Sequence, residues 1–326
     1  MKKPIIVLLS ENSDLNFHLI RHVLQHRRIP FLHIDPTVKN RNYDFNLITE
    51  CDGVRVREEI LDLRMSRYNL AGVRAVWNRG AAYSGGERTN SRTSENLVYH
   101  ESVYAYEYIW WLLRHSEWVN PLLDCRASRN RLIQCKVAAS CGMYVPKQIV
   151  STKGIDIAEF SRSGGRHIIK CISQGSPHEV GPHALKTEYF REESARKYSN
   201  ERLSAPVMLQ GYLEKDHELR AVVVGDNVFA AAIDSPKHEA TALDSRLWRE
   251  AGLSYYRVKL NDSESSRLVK INSELGLRYS SMDLVRGRDG LLYFLEANPS
   301  GQWSFIEMQT GFSITEKIVN LLAGEK

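Results

Sequence analysis

Apolar runs alternate with amphipathic stretches in the first third of the chain. Short apolar segments at residues 5–9, 31–34 and 75–78 predict strands, and the spacing of apolar residues over 14–25 predicts a helix. From residue 95 to residue 114, apolar and aromatic side chains recur at helical intervals, which predicts a long helix that packs on a core. Strands that alternate with helices in this way indicate a small α/β unit with a parallel sheet.

Strands dominate the prediction for the second half of the chain. A helix at 129–141 leads into a strand at 148–150, and residues 151–206 form a smaller inserted unit with its own strand at 167–171. The remaining predicted elements are strands at 207–209, 218–224, 228–233, 280–285 and 293–298, and helices at 263–275 and 314–322.

The segment 293–303 carries the most informative chemical pattern. Its predicted strand delivers Glu296 and Asn298, which point to the same face because they lie two residues apart. The turn at 286–290 predicts a hairpin that sets Asp283 beside Glu296. Carboxylate and amide oxygens are hard ligands that suit Mg²⁺, which usually also takes phosphate oxygens from a substrate. A hairpin with a polar tip is the simpler interpretation of a lone Glu-x-Asn, and the added Asp283 moves the preference to a metal site.

Two basic residues lie where they could meet phosphate groups. Lys170 stands near the end of an apolar strand, and the small residues at 171–176 offer backbone N–H groups that can approach phosphates. Arg220 shares a strand face with Glu218 and offers a second cation for phosphate oxygens. Taken alone, each residue has a plain alternative, namely a strand-end lysine that extends into solvent and an exposed ion pair.

Two further features are candidates for contact with a ligand. The backbone of Gln210, Tyr212 and Leu213 follows a predicted strand, and such a segment at the mouth of a cleft can pair with the edge of an adenine. This signal is weak on its own. Arg79 follows the strand near residue 77 and could line a ligand site at the loop end of a sheet, with a surface arginine as an equally good alternative.

Composition mainly excludes classes of partner. The formal charge of +5, from 44 basic and 39 acidic residues, permits an anionic ligand but gives little support for nucleic acid, so we expect no nucleic-acid partner. No segment approaches the roughly 20 apolar residues of a membrane span, so we expect no membrane partner. The five cysteines form no Cys-x-x-Cys pair, which favours a reducing cytosol, and hence a cytoplasmic protein, over a disulfide scaffold or a zinc site.

The order and spacing of these candidates resemble the ATP-grasp superfamily over residues 120–326. The resemblance implies ATP and Mg²⁺ as cofactors, a nucleotide between two α/β subdomains, a backbone hinge for adenine, and catalysis by Lys170 and Arg220. Arg131 stands where the family usually has a lysine, so the charge is kept with a different geometry. The residues implied for nucleotide binding are Arg131, Lys170, Gln210, Tyr212, Leu213 and Arg220, and those implied for the metal are Asp283, Glu296 and Asn298.

The fold implied by this resemblance is α/β in class, an ATP-grasp fold in three parts. An N-terminal α/β pre-ATP-grasp domain is expected at 1–120, a central region with the ATP lid at 121–206, and a C-terminal mixed-sheet subdomain with the metal site at 207–326. The lid contains Gly/Ser-rich loops at 161–165 and 173–176 that are poorly able to pack, so we expect it to open and close over ATP.

The resemblance narrows further, to the graspetide (microviridin-type) peptide maturases. The resemblance rests on residues 75–79, which include Trp77, Asn78 and Arg79, and on residues 118–121, 296–303, 306–307 and 310–311. The stretch 244–249 resembles a lengthened form of that family's Asp-Trp-Arg element. Membership of this family implies RiPP maturation, in which a ribosomal precursor peptide with leader and core segments is crosslinked through its side chains. A carboxylate is phosphorylated by ATP, and a hydroxyl or amine then attacks it to give a macrocyclic ester or amide.

Three functions remain open on the sequence alone. Besides a peptide macrocyclase, the chain could be an ATP-grasp ligase that joins a small carboxylic or amino acid to an amine, or a nucleotide-binding protein without enzyme activity. The complete set of Asp283, Glu296 and Asn298 argues against the last of these, and Arg131 keeps it open. The precursor, the type of bond, the ring pattern and the oligomeric state, with a homodimer as one option, do not follow from the sequence.

Overall fold

The structure is a computed structural model that describes residues 5–35, 43–49, 56–62, 67–70, 72–79, 93–172, 187–191, 193, 202–235 and 252–325. The loop predicted at 173–176 and the stretch at 244–249 lie outside these residues. The described residues form four sheets and eight helices. Among the described helices, none is both long and apolar enough to cross a membrane.

The N-terminal region is an α/β unit on a parallel sheet, which confirms the prediction from alternating apolar runs. Its elements in chain order are β1 (Ile6–Leu9), α1 (Leu15–His26), β2 (Phe31–Ile34), β3 (Tyr43–Thr49), β4 (Val56–Asp62), β5 (Arg67–Tyr68), β6 (Ala75–Asn78), α2 (Thr93–Leu112) and β7 (Glu117–Val119). The parallel strands follow the order β2-β1-β6-β7. Every residue of β1 is buried, because this strand lies inside the sheet. Helix α1 begins after Asp14, whose side chain accepts a hydrogen bond from the backbone N–H of Asn16.

A second sheet in this region is antiparallel and was not predicted. It consists of β3, β4 and β5 in sequential order. The sequence of β4 is Val-Arg-Glu-Glu-Ile-Leu-Asp. Its charged residues interrupt the alternation of apolar and polar positions, and this alternation is the signal from which a half-buried strand is recognised.

The central region holds an antiparallel sheet and three helices. Its elements are α3 (Leu122–Ser128), α4 (Arg131–Ser140), β8 (Gln148–Lys153), α5 (Gly154–Ser161), β9 (His167–Lys170), β10 (Glu188–Tyr189) and β11 (Arg202–Gly211). The strand order is β10-β9-β11-β8. Helix α4 begins at Arg131 because the side chain of Asn130 accepts the backbone N–H of Leu132 at 2.9 Å. It was predicted two residues too early, and the short helices α3 and α5 were missed.

The C-terminal region is a five-stranded antiparallel sheet with three helices. Its elements are β12 (Lys215–Val224), β13 (Asn227–Ile233), β14 (Tyr256–Arg257), α6 (Asp262–Glu274), β15 (Tyr279–Gly287), β16 (Leu292–Asn298), α7 (Ser304–Thr310) and α8 (Ile314–Ala323). The order of the strands is β14-β13-β12-β15-β16. All the elements predicted here are present, and β14 and α7, which are short, are additional.

The two faces of the five-stranded sheet bury different cores. On one face, Leu219 and Val223 belong to a cluster that includes residues of α4 and α6. On the other, Val222 and Val224 belong to a cluster that includes residues of α8 and of the N-terminal strand β1. Because side chains alternate along a strand, Arg220 lies on the same face as Val222 and Val224. This is the face that packs against the N-terminal unit.

Two tryptophans from the sequence motifs lie inside this second core. Trp77 and Trp303 are both buried, and their rings meet edge to face with centroids 6.1 Å apart. The indole N–H of Trp303 donates to the hydroxyl of Thr315 at 3.0 Å. The structure therefore places both side chains in the hydrophobic core.

Candidate active site

The proposed metal ligands lie on neighbouring strands at one end of the C-terminal sheet. Strands β15 and β16 form the hairpin that the sequence predicts, with Asp283 opposite Glu296 and Ser281 opposite Asn298. A register shift follows Asp283, between it and Leu284. The hairpin therefore brings two carboxylates side by side, with an amide two residues further along.

Each of the two carboxylates pairs with an arginine from a different element. Arg220 lies opposite Asp283 in the β12–β15 ladder, and its Nη1 is 2.7 Å from Oδ1 of Asp283. Arg131, the first residue of α4, donates through Nε to Oε2 of Glu296 at 2.9 Å, and its Nη2 contacts the same oxygen. Its Nη1 also donates to the backbone carbonyl of Cys171 at 2.6 Å. Arg131 thus links the metal hairpin to the end of β9.

Burial and these ion pairs shift the two carboxyl groups in opposite directions. Burial raises the pKa of Asp283 to about 7, and the nearby charge of Glu296 acts in the same direction while Arg220 opposes it. Burial also acts to raise the pKa of Glu296, but Arg131 outweighs it and holds that pKa below its usual value. The two adjacent carboxyl groups therefore lie in unequal environments, and the neighbours of Glu296 favour its charged form more strongly.

Lys170 is the last residue of strand β9, in the sheet formed by β8 to β11. Burial lowers the pKa of Lys170, and the negative charge of Glu296 opposes that shift. Its register partner across β11 is Met208, a residue buried in the core. The lysine is therefore a desolvated cation within electrostatic range of Glu296, as a contact to phosphate oxygens would require.

The proposed adenine hinge lies where β11 passes into β12. Gln210 is buried and donates from Nε2 to Oε1 of Gln148 at 3.2 Å. The backbone N–H of Tyr212 donates to the carbonyl of Arg166 at 2.8 Å, and the guanidinium of Arg166 lies 4.3 Å from the centre of the Tyr212 ring. Leu213 follows, and it is half-buried. The N–H of Tyr212 is thus committed to a hydrogen bond within the protein.

The donors present at the hairpin fit a magnesium ion. Asp283 and Glu296 supply carboxylate oxygens, and Oδ1 of Asn298 accepts one hydrogen bond, from the N–H of Ser300 at 2.9 Å, which leaves its second lone pair. No group of three or more His, Cys, Asp or Glu side chains that could hold a metal occurs among the described residues. A site with few protein ligands suits Mg²⁺, which keeps several waters and takes phosphate oxygens.

A buried glutamine holds the strand between the two ligands, and sequence reasoning missed it. The side-chain amide of Gln134 donates to the carbonyl of Ala297 at 2.8 Å and accepts the N–H of Ala297 at 2.9 Å. The two residues are 163 positions apart in the chain. A glutamine on a predicted helix carries no signal of such a contact, because the bond is made to backbone atoms that every residue has.

The turn after the metal strand is fastened to the N-terminal region by two further side chains. Nδ2 of Asn120 donates to the carbonyls of Tyr279 and Pro299 at 2.7 and 2.9 Å. The side chain of Arg79 is 5% exposed, pairs through Nε with Asp14 at 2.9 Å, and donates to the carbonyl of Gly301 at 3.1 Å. Arg79 was considered as a ligand contact or a surface arginine, and the structure instead places it as a buried support of the turn.

The comparisons with known proteins agree with this fold. Residues 189–322 match the RimK-like ATP-grasp domain. The chain is 27% identical over 206 residues to a probable alpha-L-glutamate ligase 1 of Shewanella oneidensis, a match that covers 62% of this chain and 66% of the relative, just under two thirds of its length.

Two solved structures are similar over nearly the whole chain. One is the macrocyclase MdnC bound with precursor peptide MdnA from Microcystis aeruginosa, with a TM-score of 0.79, 20% identity, and coverage of 97% of this chain and 99% of that one. The other is a Chryseobacterium gregarium RiPP-associated ATP-grasp ligase in complex with ADP and a leader and core peptide, with a TM-score of 0.83, 18% identity, and coverage of 99% and 97%. The protein therefore has the ATP-grasp fold.

Proposed function

We propose that this chain is an ATP-dependent carboxylate ligase that forms side-chain ester or amide macrocycles in a ribosomal precursor peptide. The observation that carries the proposal is the cluster of Asp283, Glu296 and Asn298 with three cations around it, Arg131, Lys170 and Arg220. The likeness in fold to two ligases whose structures hold precursor peptides supports the choice of substrate.

The proposed reaction has two steps. A carboxylate oxygen of the peptide takes the γ-phosphoryl group of ATP, which gives an acyl phosphate and ADP. A side-chain hydroxyl or amine then attacks the acyl carbon, phosphate leaves with the electrons of the broken C–O bond, and the attacking group loses its proton. The peptide loses one water for each ring, and the phosphate carries away the oxygen.

The residues of this chain serve the first step by position and charge. Lys170 and Arg220 approach the nucleotide from different sheets and neutralise its phosphate oxygens, while the backbone at 210–213 holds the base. Asp283, Glu296 and Asn298 would hold Mg²⁺, which would supply positive charge to stabilise the negative charge that develops during transfer. Arg131 takes the place of the family's lysine and supplies a positive charge beside Glu296.

The proposal extends to the domain boundaries, the cellular location and the recruitment of the peptide. We divide the chain at residues 120 and 206 into a pre-ATP-grasp domain, a central region with a lid, and a C-terminal subdomain. Among the cysteines that the structure describes, Cys125, Cys135 and Cys141 form no disulfide, which is consistent with the cytoplasm as the place of the reaction. The peptide is recruited in part through a leader segment that is separate from the modified core.

A second candidate is a ligase that joins a small carboxylic or amino acid to an amine. The likeness to probable alpha-L-glutamate ligases and the match to the RimK-like domain favour it. A peptide substrate needs an extended surface beyond the nucleotide cleft, whereas a small-molecule ligase can close around its ligand. Stimulation of ATP hydrolysis by free amino acids, and not by a peptide, would favour this candidate.

The deciding experiment combines ADP release with the mass of the product. The purified chain is given ATP, Mg²⁺ and a peptide encoded beside its gene that is rich in Thr, Ser, Asp and Glu. We expect ADP release together with the loss of one water per crosslink from the peptide, and weaker binding when the leader is cut away. The Glu296→Gln variant is the matched control and should give neither product. Nucleotide binding without turnover on peptide or amino acids would indicate the non-enzyme alternative.

A further inference from the structure

The side chain of Gln134 bonds to backbone atoms of the β15–β16 hairpin, which carries the proposed metal ligands. Its amide makes a two-point bond with the peptide unit of Ala297, at 2.8 Å to the carbonyl and 2.9 Å from the N–H. The side chain is fully buried, and its Nε2 also donates to the backbone carbonyl of Ser128. An amide held at three points in the interior has one orientation only.

The bond lies on the outer edge of the sheet. Strand β16 is the last strand in the order of the five-stranded sheet, so its outer backbone groups need partners other than a strand within the described part of the chain. Nearer its start, the N–H of Phe294 donates to the carbonyl of Tyr144 at 2.8 Å. At Ala297 the amide of Gln134 provides the donor and the acceptor that a neighbouring strand would provide.

Ala297 is the residue between two of the proposed metal ligands. Its N–H belongs to the peptide group shared with Glu296 and its carbonyl to the one shared with Asn298, so the two bonds from Gln134 fix the planes from which both side chains leave the strand. One turn before Gln134 on the same face of α4, Arg131 pairs with the carboxylate of Glu296. Helix α4 therefore contacts β16 twice: Gln134 bonds to the backbone of the strand, and Arg131 pairs with the carboxylate of Glu296.

We propose that Gln134 is a positioning residue for the metal and nucleotide site, which fixes the angle between Glu296 and Asn298 by clamping Ala297. This inference rests on the proposed function, since it gives the two side chains a metal to bind. Partners behind metal ligands commonly contribute about 10- to 100-fold to metal affinity, and Gln134 contributes in this way without touching metal or nucleotide.

The test measures the affinity of the whole chain for Mn²⁺ in the presence of ADP, by electron paramagnetic resonance, and its affinity for ADP without metal. Gln134→Leu keeps about the same volume and removes both bonds to Ala297. Gln134→Glu keeps the acceptor and loses the donor. Asn272→Leu is the control, because Asn272 is a buried amide on α6 that the site does not use.

We expect Gln134→Leu to weaken Mn²⁺ binding about 10- to 100-fold and Gln134→Glu to weaken it less, with ADP binding without metal unchanged within about twofold. Hydrogen exchange at the Ala297 amide should accelerate in Gln134→Leu, while the amides bonded between β15 and β16 stay slow. Asn272→Leu should keep the affinity of the wild type for Mn²⁺ even where it lowers stability equally.

Three results would overturn the inference. Gln134→Leu could bind Mn²⁺ as tightly as the wild type, its Ala297 amide could stay protected, or Asn272→Leu could lose as much affinity. Failure of the proposed function looks different, because the wild type itself would then show no Mn²⁺ binding that depends on Glu296, and the inference would fall with it.

Discussion

The two sheets that border the proposed nucleotide site differ in how they are held. In the five-stranded sheet, β12 and β15 are buried along most of their length, and both faces of the sheet carry a hydrophobic cluster. In the sheet of β8 to β11, the outer part of β11 and the whole of β10 are largely exposed. The sheet that carries the proposed metal ligands is thus held by more apolar burial than the sheet of β8 to β11.

The charges follow the same division. On the five-stranded sheet, Asp283 and Glu296 are matched by arginines, and Lys215 pairs with Glu218 in the interior. On the other sheet, Lys170 is a cation whose charge is disfavoured by burial. We therefore expect the two carboxylates to be held in place before ATP binds, and Lys170 to gain its most favourable charge partner from the phosphates.

The largest effect is expected from the substitution of a proposed metal ligand on the five-stranded sheet. Glu296→Gln keeps the shape of the side chain but replaces the carboxylate that Arg131 holds ionised. Metal-assisted stabilisation of charge is worth several kcal/mol, so turnover should be abolished while the fold stays intact. ADP release and thermal unfolding measure the two outcomes. A folded variant with full activity would remove Glu296 from the metal site.

The next effect separates the two sheets directly, through Lys170→Met and Arg220→Met. Both should lower kcat by about 10²- to 10³-fold, because each removes a cation aimed at the developing charge. Their stabilities should differ. Arg220→Met leaves the half-buried Asp283 without its partner and should cost about 1–3 kcal/mol, whereas Lys170→Met removes a charge that burial disfavours and should cost less.

Steady-state kinetics and urea unfolding of both variants test this contrast. A change confined to the KM for the peptide would show that the two residues act on the peptide instead of the phosphates. Equal losses of stability would show that Lys170 is as firmly paired as Arg220.

A third effect concerns motion on the less buried side. Within the proposed lid, β9 and the turn at 161–165 should exchange backbone hydrogen quickly without nucleotide and slowly with ATP and Mg²⁺. At a ligand concentration 100 times Kd, the gain in protection can reach about 2.7 kcal/mol. Strands β12 and β15 should be protected in both states, and they serve as the internal reference. Equal protection of the lid with and without nucleotide would indicate a rigid unit.

The smallest effect is expected for Arg131→Lys, which restores the residue usual in the family. Lysine keeps the charge but cannot reproduce the two contacts that the guanidinium makes with Glu296. We expect ATP affinity and turnover to change by less than about tenfold, which corresponds to less than about 1.4 kcal/mol. Arg131→Met is the control without charge and should lose more. Equal behaviour of the two variants would show that the charge at this position is not used.

Local patterns predicted the hairpin of the site well. Glu296 and Asn298 are two residues apart on a strand, and a short turn brings Asp283 back to Glu296, so all three could be placed from neighbouring residues. Strand β4 was missed because its charged residues hide its alternation. The helices α3, α5 and α7 were missed because seven or eight residues are too few for a helical period to show.

The supports of the site could not be predicted for a different reason. Gln134 and Asn120 bond to backbone atoms more than 150 positions away. Every residue has these backbone atoms, so the identity of the partner residue gives no indication of the bond. Arg131 could be placed at a helix start, but its ion pair with Glu296 depends on how that helix packs against β16. Such contacts are fixed by tertiary packing, which neither local spacing nor composition encodes.

Asn120 also decides where this chain can be recombined with a relative. Besides its two donated bonds, its Oδ1 accepts the backbone N–H groups of Arg278 and Tyr279 at 2.8 and 2.9 Å, so one side chain joins the end of the first domain to the start of β15. A hybrid with a foreign first domain must therefore inherit Asn120 and Arg79, or alter the turn at Pro299 along with them. A crossover that keeps this chain's own Asn120 therefore lies before residue 120, and the foreign part must then carry an arginine at the position of Arg79.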